Sequence, residues 1–457
     1  MHRTFDTLAI TRPEDLRFGV APHPVSCGYG IQIGAGEVYP ELNFTLPVMS
    51  IEDATWQEVR AHYLEMGAMI VKASKRLRLP GLVVEFELLP PMTEKPAWGA
   101  EITTILNDAL RQAHDEYQLP CALRVTPTDV RDRQRPPLLR TGDEWDVLCE
   151  SFERCAEAGA HILSIESVGG KEVHDEALMY GDVRGAIFAL GVLAPRDMAW
   201  LWRKIVEVST RFRVIPGADS ACGFANTAMQ LASQGMLPEV LATVIRAASA
   251  VRSLVAYQCG AVGPSKDCAY EGPVLKAITG TPIAMEGKSA SCAHFSPVGN
   301  VAAAMCDLWS NESVQNVRLL SGSAPEAFLE LLAYDCRLMN EATRQNMVPG
   351  YRKMLVDSDV SLSPQALILS PDSTMEIARA IVAHRQPYAQ TVAAARAAVG
   401  IIARASAEKA LALPPRELSW LEKINASLDD LPEKEETLLA EMADSYAHKF
   451  NPSSYGL

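Results

Sequence analysis

His161-Ile162-Leu163-Ser164-Ile165-Glu166-Ser167-Val168-Gly169-Gly170 is a short apolar run that ends on a carboxylate and then turns on two glycines. The run is too short for an ordinary helix and reads as a buried strand. The Gly-Gly pair allows backbone to approach a ligand or neighbour closely. Outward from this stretch the same pattern repeats. Strand-like runs fall at 82–88, 121–125, 213–216, 253–257 and 282–286, and helical stretches such as 143–158 and 196–210 separate them. Strands alternating with helices imply a parallel sheet with helical crossovers.

A closed barrel and an open doubly wound sheet both fit that alternation. The strand ends favour the barrel. Polar residues gather there: Glu85 and Glu87, Asp129, Glu166, Asp219 with Cys222, and Asp267 with Cys268. A TIM barrel builds its site from many strand ends, whereas an open sheet concentrates it at one crevice. The expected fold is therefore α/β, a TIM (β/α)8 barrel with an additional N-terminal segment and a helical C-terminal region. Strand signals almost vanish after Val301, and Ala-rich helical segments follow, with breaks at Pro414-Pro415 and at 429–432. Residues 1–300 are assigned to the barrel with its N-terminal segment, and 301–457 to helices packed on it.

A net charge of −14 disfavours nucleic acid and suits a partner with a basic docking face. The ten cysteines form no Cys-x-x-Cys pair and read as reduced thiols, some of them candidate ligands. No basic-then-apolar leader opens the sequence, and no apolar run reaches the ~18 residues of a spanning helix. The best stretch, 186–202, is interrupted by Pro195, Arg196 and Asp197. The expectation is a soluble, cytoplasmic protein with no membrane segment.

Three Gly-containing loops after strands carry reactive side chains: 165–172 with Glu166, 217–223 with Asp219 and Cys222, and 260–270 with Asp267 and Cys268. Glu166, Cys222 and Cys268 together suit Zn²⁺, whose catalytic sites keep three protein donors and an open position. Thiolates select zinc over magnesium or calcium. A single cysteine is more often a small buried hydrophobe, so on residues alone the bland reading outweighs the metal site. The glycines at 28, 30, 34 and 36 miss the dinucleotide fingerprint by one residue and lack a Walker lysine, which leaves a Gly-rich turn near the barrel opening. His23, His174 and His294 have no ligand-type spacing and are read as non-ligands. Glu85 and Glu87 point the same way on one strand. They either orient a substrate or pair with Arg124 or Lys72.

Five longer motifs are distinctive. Residues 164–173 (SIESVGGKEV), 222–229 (CGFANTAM), 261–268 (AVGPSKDC), 276–280 (KAITG) and 306–314 (CDLWSNESV) closely resemble the MtaB-type methanol:corrinoid methyltransferases. The ending Tyr455-Gly456-Leu457 agrees, and the similarity runs from Phe18-Gly19-Val20 onward. The resemblance implies a TIM barrel with extra helices, a zinc ion at its mouth held by Glu166, Cys222 and Cys268, and association with a corrinoid-carrying subunit. It implies transfer of a methyl group from methanol to Co(I), giving methyl-Co(III), and a homodimer core within a hetero-oligomer. Asp219 is then a supporting carboxylate that orients a thiolate or handles the alcohol proton. The chain lacks the Asp-x-His-x-x-Gly segment of proteins that bind corrinoid through a histidine, so the corrinoid is expected on a separate protein. The run from Glu85 to Met92 is more apolar than expected for a methanol site. That leaves a larger methyl donor, such as a methoxylated compound, as the alternative. A non-catalytic module that binds a corrinoid protein and a zinc hydrolase are the further alternatives.

Overall fold

The computed structural model describes residues 3–287, 296–314, 318–319 and 322–457. An antiparallel hairpin comes first, β1 (Val20–Cys27) and β2 (Ile31–Ala35). Gly28 and Gly30 turn it with positive φ, and a Cβ on Gly28 would sit 2.3 Å from the Cys121 carbonyl. Only glycine combines that φ with that approach.

Seven parallel strands follow: β3 (Tyr39–Thr45), β4 (Leu82–Leu88), β5 (Cys121–Pro127), β6 (Ile162–Ile165), β7 (Ile215–Asp219), β8 (Ala284–Glu286) and β9 (Leu308–Val314). Their order is β7-β6-β5-β4-β3-β9-β8. The gap between the edges β7 and β8 is bridged by residues 261–267. Val262 and Gly263 donate backbone hydrogen bonds to Pro216 and Gly217, and Glu286 donates to the Asp267 carbonyl. That irregular segment occupies the eighth strand position, so the sheet closes as a (β/α)8 barrel.

The period-two alternation of each strand explains the barrel's polarity. On β4, Val84 and Phe86 pack outward in the main core, while Val83 joins Ile31, Ile33, Tyr39, Ala122, Ile162, Ala284 and Leu308 in a separate apolar cluster. That cluster sits at the strand starts, and hairpin residues Ile31 and Ile33 plug it. Farther along, the same inward row turns charged: Glu41 on β3, Glu85 and Glu87 on β4, and Arg124 on β5. The lumen runs from dry and apolar at one end to ionic at the other.

Three expectations need correction. Residues 253–257 are not a strand; they lie within the helix Glu239–Cys259, nearly all of it buried. This helix is long and apolar enough to span a bilayer by composition, contrary to the expectation that no apolar run reaches that length, and all of its apolar window is buried inside the protein. It is a core helix between the barrel and the helix Pro387–Ala407, buried on every side, polar residues included, so it has no solvent face to show its period. Second, strand structure continues after Val301: β9 sits inside the sheet between β3 and β8. The barrel therefore runs past residue 300. Its strand sequence, with Ser310 and Asn311, is too polar to advertise a buried strand. Third, the Gly-rich turn belongs to the hairpin at the strand starts, the end opposite the opening.

From Ala324 onward the chain is helical. Pro364, Pro371, Pro387 and Pro415 each open a helix at its first position, where no amide partner is needed. The helix Ala324–Arg344 begins with a reciprocal capping box between Ser323 and Glu326.

Candidate metal centre

Glu166 follows directly on β6, and its loop must turn sharply into the helix Lys171–Tyr180. A Cβ at Gly169 would lie 2.3 Å from the Asp197 side chain, so the turn is closed to any other residue. Cys222 opens a π-helical turn, Cys222–Asn226, three residues after β7. Such local widenings of a helix recur at functional sites. Cys268 ends the bridging segment, its backbone N–H held at 2.8 Å by the Asp267 carboxylate. Asp267 in turn accepts from Asn43 of β3 at 3.3 Å and from Ser310 of β9 at 3.4 Å.

These three loops bring Glu166, Cys222 and Cys268 together. One donor atom from each lies within 4.8 Å of the other two. The Cys268 Sγ to Glu166 Oε1 distance is 3.1 Å. Donors around a tetrahedral zinc, bound at roughly 2.0–2.3 Å, stand about 3–4 Å from one another. The trio fits such an ion with little adjustment. Its electrostatics agree. Burial raises the Glu166 carboxyl above its ordinary range, although Lys266 opposes this. Cys268 is raised well above the thiol range by its hydrogen bond with Cys222 and by burial. Cys222 gains from its hydrogen bond with Cys268, yet burial and the Glu166 charge leave it raised. Two thiolates and a carboxylate cannot all stay ionised here by themselves, and a divalent cation reverses the balance.

Lys266 is the one cation inside this cluster among the described residues. Its Nζ reaches Glu87 at 2.6 Å, Asp267 at 2.8 Å, Glu166 at 3.2 Å and Glu85 at 3.5 Å. Glu85 and Glu87 thus pair with Lys266, not with Lys72. Glu85 also accepts from Thr126, and Arg124 is engaged mainly with Glu41 at 2.7 Å. Lys266 was in plain view in the sequence, beside Asp267. Nothing in its spacing signals that its chain turns inward across the lumen.

Asp219 stands behind the trio. It accepts from Arg252 at 2.9 Å, Trp202 Nε1 at 3.1 Å and the backbone N–H groups of Ser220 and Ser167. Its link to a sulfur runs through its neighbour Ser220, whose hydroxyl lies 3.3 Å from Cys268 Sγ. His174 is buried against Phe224 and beside Asp175, away from the donors. His23 lies at the hairpin end, its N–H bonded to the Gly280 carbonyl. His294 falls outside the described residues.

A pocket of about 380 Å³ opens at Glu166, lined also by Glu87, Pro90, Thr126, Asp129, Lys171 and Gly223, the neighbour of Cys222. Of the run from Glu85 to Met92, Phe86, Leu88 and Met92 are packed in the core. Its apolar character therefore belongs to the barrel wall more than to the pocket.

The family model of the methanol-cobalamin methyltransferase B subunit (MtaB) matches residues 2–456. The chain belongs to this family. Among MtaB relatives, a methanol–corrinoid protein co-methyltransferase of Methanosarcina barkeri (strain Fusaro / DSM 804) is 35% identical over 461 residues, with 99% of each chain covered. The crystal structure of the methanol:cobalamin methyltransferase complex MtaBC from Methanosarcina barkeri holds a chain that matches with a TM-score of 0.95, at 35% identity and over 100% of both chains. As an MtaB family member the chain is a methyltransferase, and its barrel is the fold of that solved relative.

Proposed function

We propose that this protein transfers the methyl group of methanol to Co(I) of a corrinoid carried by a separate protein, using zinc held by Glu166, Cys222 and Cys268. The observation that carries this reading is the convergence of one carboxylate and two thiols, with the carboxylate of Glu166 also lining the barrel-mouth pocket. Bound there, zinc supplies Lewis acidity toward the alcohol oxygen, whose poor leaving ability is the obstacle to the reaction. The carbon–oxygen bond breaks, a carbon–cobalt bond forms to give methyl-Co(III), and the oxygen leaves as water after taking up one proton.

The chain's own residues set the conditions for this exchange. Lys266 neutralises part of the carboxylate charge around the donors. Asp219 fixes Ser220 behind Cys268, a supporting role rather than a ligand role. Exposed Met179, Tyr180 and Met236 lie on the segments that follow β6 and β7, the strands that lead to Glu166 and Cys222, and suit the docking of a corrinoid protein. Leu331, Tyr334 and Leu338, each about half exposed, share one face of the helix Ala324–Arg344 and suit a homodimer contact.

The test is direct. Purified protein should hold about one zinc per chain, and Cys222→Ala or Cys268→Ala should lose it. Methylation of protein-bound Co(I) corrinoid, followed by its absorption spectrum, should proceed with methanol and fail in both variants. Stoichiometric zinc in the cysteine variants would refute the ligand assignment. Transfer from a methoxylated compound but not from methanol would replace the donor.

A further inference from the structure

Among the described residues four arginines are fully buried: Arg124, Arg131, Arg246 and Arg252. Three are matched to carboxylates at hydrogen-bonding distance, Arg124 to Glu41, Arg131 to Asp129 and Asp197, and Arg252 to Asp219. Arg246, only 1% exposed, forms no salt bridge among the described residues. A buried guanidinium is costly unless negative charge lies nearby, and Glu271 and Cys222 both act on Arg246. The hydrogen bonds lead to the second of these. Arg246 Nη2 donates to Asn226 Oδ1 at 3.0 Å, and Asn226 Nδ2 donates to Cys222 Sγ at 3.2 Å.

The direction of this relay is fixed by chemistry. A guanidinium can only donate. The Asn226 oxygen must therefore face Arg246, which leaves its NH₂ group to face the sulfur. Arg246 is held from the other side by Gln365 Oε1, which accepts from Nε at 2.6 Å, and it lies over the Tyr270 ring. Gln365 belongs to the C-terminal helix Pro364–Leu369. The relay Gln365–Arg246–Asn226 thus connects the helical region to one sulfur of the metal centre. Cys268 has a different environment: the Ser220 hydroxyl at 3.3 Å and Lys266 Nζ at 3.8 Å.

We propose that Asn226 and Arg246 are positioning residues for Cys222, stabilising its thiolate through a polarised N–H···S hydrogen bond, and that Cys222 shares the compensation of Arg246 with the buried Glu271. This rests on the zinc-site reading above. The bond draws electron density from the sulfur, so it tempers thiolate donation and leaves the metal more Lewis-acidic. It also fixes the direction in which the Cys222 side chain presents its sulfur.

Cobalt(II) put in place of zinc provides the readout, because thiolate-to-cobalt charge-transfer bands report sulfur electron density independently of turnover. Wild-type protein should show these bands, and Cys222→Ala should lose part of their intensity. Asn226→Ala should keep their intensity but move them to longer wavelength, and it should weaken zinc in a chelator competition by about 10- to 100-fold. Arg246→Met and Gln365→Leu should shift the bands in the same direction, Gln365→Leu by less. If wild-type protein shows no thiolate bands, the metal-site reading fails and takes the relay with it. If the bands are present but unmoved in Asn226→Ala, or in Arg246→Met and Gln365→Leu where Asn226→Ala does not fold, the relay is overturned and the metal site stands.

Discussion

Lys266 Nζ lies 3.2 Å from Glu166 Oε1 and 3.8 Å from Cys268 Sγ, so a fully buried ammonium touches two members of the proposed metal-binding trio. Its other neighbours, Glu85, Glu87 and Asp267, are carboxylates, and Asp267 is held well below its usual range even though it is buried. One cation therefore keeps a crowd of negative groups folded and limits the charge around the metal.

Lys266→Met should act at both levels. Stranding buried carboxylates is expected to cost about 3–5 kcal/mol in urea or guanidinium unfolding. In protein saturated with zinc, the methyl-transfer rate should fall by about 100-fold, because preorganised charge near the reacting oxygen is lost. Lys266→Arg keeps the charge and should recover part of both. A folded, zinc-replete Lys266→Met with normal turnover would show that the ammonium serves only the fold.

Asp219→Asn separates a supporting carboxylate from a ligand. Asp219 and Arg252 are fully buried partners at 2.9 Å, so removing the charge leaves Arg252 unmatched. Stability should drop by about 3–5 kcal/mol. Zinc content should nevertheless remain near one per chain in the folded variant, as measured by metal analysis. Trp202, whose indole N–H donates to Asp219, should report the change in its fluorescence. Complete loss of zinc from folded protein would instead make Asp219 part of the coordination sphere.

The alternation around β4, β5 and β6 was legible in the sequence because each is a short apolar run bounded by a polar strand end. The same feature exposed Glu166. The segment 261–267 and β9 were not legible as strands. The first is held by only a few backbone bonds, and the second carries Ser310 and Asn311 where the barrel interior is polar. Helix Glu239–Cys259 failed for the opposite reason: it is buried on all sides, and even its polar residues, such as Arg246 and Arg252, face the interior, so no solvent face reveals its period. Family motifs placed Cys222 and Cys268, but not their supports. Asn226 and Lys266 sit inside the quoted motifs, yet Arg246 and Gln365 lie 24 and 143 residues beyond Cys222, and only the fold brings them together.

The apolar end of the lumen should be purely structural. Ile33 is fully buried in the cluster that the hairpin closes, at the opposite end from the donors. Ile33→Ala is expected to cost about 2–5 kcal/mol through lost burial and a cavity. Zinc content and the cobalt(II) spectrum should match wild type. A change in either would mean that the plug controls the mouth, contrary to the division of the lumen into an apolar and an ionic end.

His161 gives the acid limb of stability a specific origin. Burial lowers its pKa from an ordinary 6.5 to about 4. Its Nδ1 accepts the Leu123 N–H at 3.0 Å, a bond that only an unprotonated nitrogen can make, and its ring meets Tyr29 edge-on. The unfolded chain takes up this proton at higher pH than the folded one. The contribution is therefore complete above pH 6.5 and is lost as pH falls toward 4, by at most about 3 kcal/mol. Glu41, pushed up to about 7 by burial, works in the opposite sense: its folded form holds the proton more tightly, so its contribution fades as pH rises toward 7. The difference between wild type and His161→Asn isolates the histidine, since Asn retains an acceptor but does not titrate. Urea unfolding at a series of pH values should give a steeper fall for wild type than for the variant across this window. Parallel curves would mean that His161 takes up its proton equally well folded and unfolded, and the acid sensitivity would then have to come from the carboxylates.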